Sequence, residues 1–227
     1  MFYYDWTMIL VIPGLLLGMW AQHKVSSSFE KYQRVMAGNG VSAERIARAL
    51  LNHGGCDGVN IEPTSGSLTD HYDPRSNVLR LSSSVYGSSS VAAIGVAAHE
   101  CGHAMQQKEG YSMLKLRSAL VPAVNIGSNL YFPIFMLGLV MSWEPLVNIG
   151  ILCFALTLLF SLVTLPVEFN ASSRAISALR SGGFLSEEEL SGAKAVLDAA
   201  ALTYVASAIS SLLQLVRLLI ISRNRRD

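Results

Sequence analysis

In the stretch VAAHECGHAMQQ, residues 96–107, His99 and His103 stand four positions apart and Glu100 directly follows the first. On an α-helix, side chains at i and i+4 lie one turn apart on the same face. Both imidazoles can then reach one ion, while Glu100 is turned about 100° from His99, beside the ion rather than on it. That pattern suits zinc-assisted hydrolysis: zinc lowers the pKa of water to about 7, and a neighbouring carboxylate takes the proton as the water attacks a carbonyl carbon. The competing reading is a hydrogen-bonded histidine pair packed against another helix. A catalytic zinc needs a third protein ligand, His or a carboxylate, and one open position. The extended pattern HExxHxxGxxH is absent, because Gln106 and Glu109 stand where Gly and His would be required. The third ligand must come from elsewhere in the chain.

The elements available to bring it back are largely apolar. Of 227 residues 51% are hydrophobic and only 15% charged, against about a quarter charged in a soluble domain. The deficit points to lipid contact. A net charge of +1 gives no electrostatic case for nucleic acid. The three cysteines, Cys56, Cys101 and Cys153, are scattered with no CxxC pair, which suits neutral thiols and neither a disulfide framework nor a thiolate metal site. Residues 6–22 read as an uncleaved anchor, loosened near Pro13 and Gly14: Asp5 is the only charge ahead of them, and MWAQHK is a poor cleavage site. A second apolar region reads as a hairpin of two spans, 121–142 and 147–166, turning at Trp143, Glu144 and Pro145. The stretch 199–221 is apolar but carries Ser207, Ser210, Ser211, Gln214 and Arg217. It reads as a fourth span or as an interfacial helix.

Lysine and arginine give the orientation. None precede residue 24 and none fall in the 142–148 turn, whereas ten lie between 23 and 120 and three between 167 and 199. The two polar regions are therefore expected in the cytoplasm. The basic tail, with Arg223, Arg225 and Arg226, disagrees if the last helix crosses. On this topology the hairpin leaves after residue 120 and returns near 166, with Pro166 suited to a helix start, so the first acid beyond it, Glu168, lands beside the motif helix. Rival carboxylates are Asp70, Asp73, Glu187 to Glu189 and Asp198. The glutamate run reads as a helix cap, with Ser186 at the N-cap and Glu189 at the third helical position.

Before the motif, SAERIARALL reads as a short amphipathic helix capped by Ser42 and closed near Gly54, with Ile46 and Leu50 on its apolar face. GVNIEP and NVLRLS read as β-pieces separated by the turn residues TSGS and DPRSN. NVLRLS could serve as an edge strand that accepts substrate as an added strand. In DHYDP, His71 or Tyr72 could polarise a scissile carbonyl, against the alternative of an Asx-type turn at Asp73-Pro74. Arg174 is a candidate for oxyanion or substrate contact, or equally a salt-bridge partner. His23 and His53 read as ordinary surface histidines, and Ser26 to Ser28 as the exit from the first span.

The stretches LTDHYDPRSNVLRLSSSVY (68–86), VAAHECGHAMQ (96–106) and LPVEFNASSRA (165–175), with the pattern of spans, resemble the YugP-type neutral zinc metallopeptidases. These are integral membrane proteins distantly similar to HtpX-type proteases. The resemblance covers essentially the whole chain and implies His99, His103 and Glu168 as zinc ligands and Glu100 as the catalytic residue. Related enzymes often carry an aspartate four residues after the ligand glutamate. Here that position is Ser172, and the supporting role is left to Asn170 or Ser172.

The expected architecture is an α+β membrane protein, mainly α-helical, with three or four transmembrane helices and a small mixed cytoplasmic zincin-like region carrying the HExxH helix. Its expected parts are an anchor (1–23), a catalytic region (24–120), a hairpin (121–166), a helix bearing the third ligand (167–198) and an apolar helix with a basic tail (199–227). The expected function is that of a Zn2+ endopeptidase integral to a bacterial-type plasma membrane, cutting unfolded or membrane-derived polypeptide at the cytoplasmic face. Its partners are then polypeptide and the lipid bilayer, and small residues in the spans (GLLLG, NIGS) permit an oligomer. The rivals are a zinc-holding quality-control or adaptor protein that cleaves little, and a channel-like protein. The scarcity of ionisable residues in all spans but the last argues against the channel.

Overall fold

The computed structural model describes residues 6–224. Asp5, Arg225 and Arg226 lie outside the described residues, and the tail's disagreement with the charge rule rests partly on the latter two. A 3-10 turn, Trp6–Leu10, leads into α1 (Val11–Gln33), followed by α2 (Ala43–His53), β1 (Asn60–Thr64), β2 (His71–Asp73), β3 (Val78–Ser82), α3 (Val91–Glu109), α4 (Ser112–Val140), α5 (Glu144–Ser181) and α6 (Glu187–Arg223). The molecule is mainly helical with one small mixed sheet. The described residues divide by their contacts into two units: residues 6–21, 115–166 and 202–224 in one, residues 22–114 and 167–201 in the other.

The first unit holds the apolar parts of the four helices that are long and hydrophobic enough to cross a membrane. Leu15, Leu152 and Val140 are 61%, 67% and 77% exposed. Burying one such side chain is worth about 1.5–3 kcal/mol, so rows of them facing outward suit hydrocarbon rather than water. Inside the unit, glycines let backbones approach. A Cβ on Gly127 would lie 2.9 Å from the Cys153 carbonyl oxygen, and one on Gly138 2.6 Å from the Val147 nitrogen. The α4–α5 turn runs through Ser142, whose φ is +53°, and Trp143, whose N–H is accepted by the Gly138 carbonyl at 2.9 Å.

Pro13 is the third residue of α1, just after the 3-10 turn gives way to α-helix. α1 continues through Ser26 to Ser28 as far as Gln33, and Ser28 Oγ donates to the Ala195 carbonyl at 3.4 Å. Pro166 starts no helix but lies inside α5, which runs unbroken from Glu144 to Ser181. Long apolar helices tolerate such a residue because neighbouring groups satisfy the freed carbonyl.

The second unit has its own core, built from α2, the sheet, α3 and the adjoining stretches of α5 and α6. Ile46, Leu50 and Leu51 of α2 and Leu79 and Leu81 of β3 are at most 1% exposed. The sheet order is β1-β3-β2, with β3 parallel to β1 and antiparallel to β2. NVLRLS is therefore the centre of the sheet and not an edge. DHYDP supplies the edge strand β2, which a run of only three residues hides from a reading of alternation. The Ser186 and Glu189 cap forms as expected: Ser186 N–H donates to Glu189 Oε2 at 2.7 Å and Glu189 N–H to Ser186 Oγ at 3.3 Å.

Candidate metal centre

α3 is an alanine-rich helix buried on nearly every side. Ser90 caps it by accepting from the Ala93 N–H at 3.2 Å. It ends at Gly110, whose φ of +65° is the left-handed conformation that suits glycine. Gly102, inside the HExxH sequence, sets its distance from α5: a Cβ there would lie 2.5 Å from the Ala171 carbonyl oxygen. The small residue between the two histidines thus brings their helix against the one that carries Glu168.

His99, His103 and Glu168 converge, with one ligand atom from each lying within 4.8 Å of the others. His99 Nε2 is 3.3 Å and His103 Nε2 3.6 Å from Glu168 Oε2. Glu168 is 3% exposed, while the two imidazoles retain 15% and 13% side-chain exposure. The carboxylate is thus buried and the imidazoles keep some access to solvent. The outer nitrogens are engaged, His99 Nδ1 at 3.1 Å from Ser172 Oγ and His103 Nδ1 at 3.0 Å from Gln106 Oε1. A metal-binding histidine ordinarily has its second nitrogen hydrogen-bonded in this way. Two imidazoles and one carboxylate are a donor set that fits zinc with a position open for water.

Glu100 Oε2 accepts the Tyr72 backbone N–H at 3.0 Å. Burial pushes the Glu100 carboxyl up from its ordinary range, while His103 and His99 pull it back. A raised carboxyl is a better proton acceptor at neutral pH. Of the two strand candidates, Tyr72 packs against the core and its hydroxyl donates to Asn77 Oδ1 at 2.9 Å. His71 is paired with Arg80, and its Nδ1 lies 2.9 Å from the Thr69 carbonyl.

Among the rival carboxylates, Glu188 is exposed and Glu189 belongs to the helix cap, and four others are engaged elsewhere. Asp70 accepts the Ser82 N–H and hydroxyl at 2.7 and 2.8 Å, and Asp73 accepts from the Arg75 N–H and Ser76 hydroxyl. Glu187 pairs with Arg180 at 3.1 Å and Asp198 with Lys194 at 2.5 Å. Arg174 makes a two-pronged pair with Glu109, 2.7 Å on each arm. Cys101 is fully buried, and burial pushes its thiol well up, so it is an inert wall of the helix rather than a ligand. His23 and His53 are exposed.

Gln106 was not anticipated as a site residue. It is fully buried, and its position three residues after His103 places it on the same helix face. Within the motif it registers only as a departure from the longer pattern.

Residues 7–223 match the protein family described as "Putative neutral zinc metallopeptidase". The chain is 47% identical over 218 residues, 96% of its length and 97% of the relative's, to a Bacillus subtilis (strain 168) protein named "Putative membrane protease YugP". No solved structure matches. By the extent of both matches, the chain belongs to this neutral zinc metallopeptidase family and is an integral membrane protein.

Proposed function

We propose that the chain is a zinc endopeptidase in which His99, His103 and Glu168 hold the ion and Glu100 is the general base. The observation that carries this reading is the convergence of those three donors, with Glu100 fixed beside them by the Tyr72 N–H. Zinc bound there supplies the Lewis acidity that makes water nucleophilic at neutral pH. Glu100 takes the water's proton and can return it to the leaving amine. Tyr72 orients Glu100 through its backbone. An extended polypeptide is assigned to the surface beside β2, the edge strand of the sheet. His71 and Tyr72 are assigned to contact with that polypeptide.

Substrates are unfolded or membrane-derived polypeptides reached from the cytoplasm. The orientation rests on the concentration of Lys and Arg in residues 23–120 and 167–199. The test is Glu100→Gln in the detergent-solubilised full chain, with an unfolded protein as substrate and zinc content measured in parallel. The Tyr72 N–H can still donate to the Gln oxygen, so the fold is kept. Turnover should fall about 100- to 10,000-fold, the usual contribution of a general base, with one zinc per chain retained. Undiminished hydrolysis would remove Glu100 from the mechanism. A wild-type chain that holds zinc and cleaves nothing would favour a quality-control or adaptor role.

A further inference from the structure

The hydrogen bonds behind His103 have a direction, and it is set from outside the metal-binding trio. A guanidinium can only donate. Arg174 donates from Nη1 and Nη2 to Glu109 and from Nε to Asn170 Oδ1, each at 2.7 Å. The Asn170 amide is therefore held with its oxygen toward Arg174, and the same oxygen accepts from Gln106 Nε2 at 2.9 Å. The Val167 carbonyl, which can only accept, faces Gln106 Nε2 at 2.8 Å. With its amide nitrogen committed to two acceptors, Gln106 meets His103 Nδ1 through Oε1 at 3.0 Å. His103 must donate from Nδ1, which in the neutral ring that binds a metal leaves the lone pair on Nε2, the nitrogen that faces Glu168. His99 differs. Its Nδ1 meets the Ser172 hydroxyl at 3.1 Å, and a hydroxyl can donate or accept, so that contact does not select a tautomer.

We propose that Arg174, Asn170 and Gln106 form a positioning relay that holds His103 in its metal-binding tautomer, so that zinc affinity depends on a surface ion pair that touches no ligand. This rests on the proposed metal centre and gives Arg174 a role other than substrate contact. Gln106 sits where the longer zincin pattern has glycine, and the relay explains a buried amide there.

The test uses Asn170→Leu and Asn170→Asp in the full chain in detergent. Zinc affinity is read by competition with a chromogenic chelator, the fold by melting of the metal-free protein, and ligand geometry by the visible spectrum of the cobalt form. Asn170→Leu leaves Gln106 held by the Val167 carbonyl alone and should weaken zinc measurably, by no more than the roughly 10- to 100-fold loss expected when an outer partner itself is removed. Asn170→Asp, whose oxygens can accept from both Gln106 and Arg174, should restore affinity and the cobalt spectrum. If Asn170→Leu does not fold, Arg174→Met carries the test. It frees the Asn170 amide to rotate while Val167 still holds Gln106, and should give a smaller but measurable loss.

Folded Asn170→Leu with wild-type affinity, or equal losses in the Leu and Asp variants, would overturn the relay, as would a wild-type chain that takes up no zinc. A chain whose zinc affinity follows the relay but which hydrolyses no polypeptide would keep the relay and refute only the peptidase reading.

Discussion

The interiors of the two units are specified by different physics. In the unit containing α3, the buried polar groups Glu168, Gln106, Ser82 and Ser90 each have hydrogen-bonding partners. In the unit built from the spans, polar pairing is sparse. Ser161 and Ser211 approach at 3.5 Å, and the Thr157 and Thr164 hydroxyls are buried without a hydrogen-bond partner. There the close contacts are made by glycines against backbone. The first design positions individual atoms and the second positions helices. A reaction that needs two nitrogens and an oxygen around one ion belongs in the first.

That contrast can be broken at several points. The largest loss is expected from Leu79→Ala, in the middle of the sheet and 0% exposed. It should destabilise by about 2–5 kcal/mol, measured by denaturant melting. Next comes a matched pair of glycines. Gly102→Ala places a methyl 2.5 Å, and Gly127→Ala 2.9 Å, from a backbone oxygen. Each overpacks its contact at a cost of about 1–3 kcal/mol, but only Gly102→Ala should weaken zinc, because it pushes α3 from the helix that carries Glu168. Equal zinc affinity in the two variants would erase the distinction between the units. Ser172→Ala removes a partner that does not choose the tautomer, and its effect on zinc should fall at or below the low end of the roughly 10- to 100-fold range for outer partners. The smallest change is expected from Lys194→Ala. Its pair with Asp198 is on the surface and worth at most about 0.5 kcal/mol.

The same contrast explains what the sequence could disclose. His99, Glu100 and His103 are legible because helical geometry alone puts an i, i+4 pair on one face. Glu168 is legible because a hairpin must return, and the first acid after the return is a short list of one. The centrality of β3 is not legible: alternation along NVLRLS reports that a strand is half buried, while its pairing with β1 and β2 is decided by contacts remote in sequence. Pro166 misleads because proline is read as a helix boundary, yet inside a long apolar helix its cost is met by neighbours. The parts Gln106 and Arg174 play are hidden for another reason. Their role depends on the orientation of amides, and residue type and spacing say nothing about which way an amide faces.

The account stands on one ion held by His99, His103 and Glu168, and a zinc titration of the Glu168→Ala chain tests it most directly. The wild-type chain should take up one zinc, and the variant should lose affinity well beyond the roughly 100-fold ceiling seen for outer partners while keeping its metal-free melting temperature. A folded variant that binds zinc as the wild type does would contradict the account.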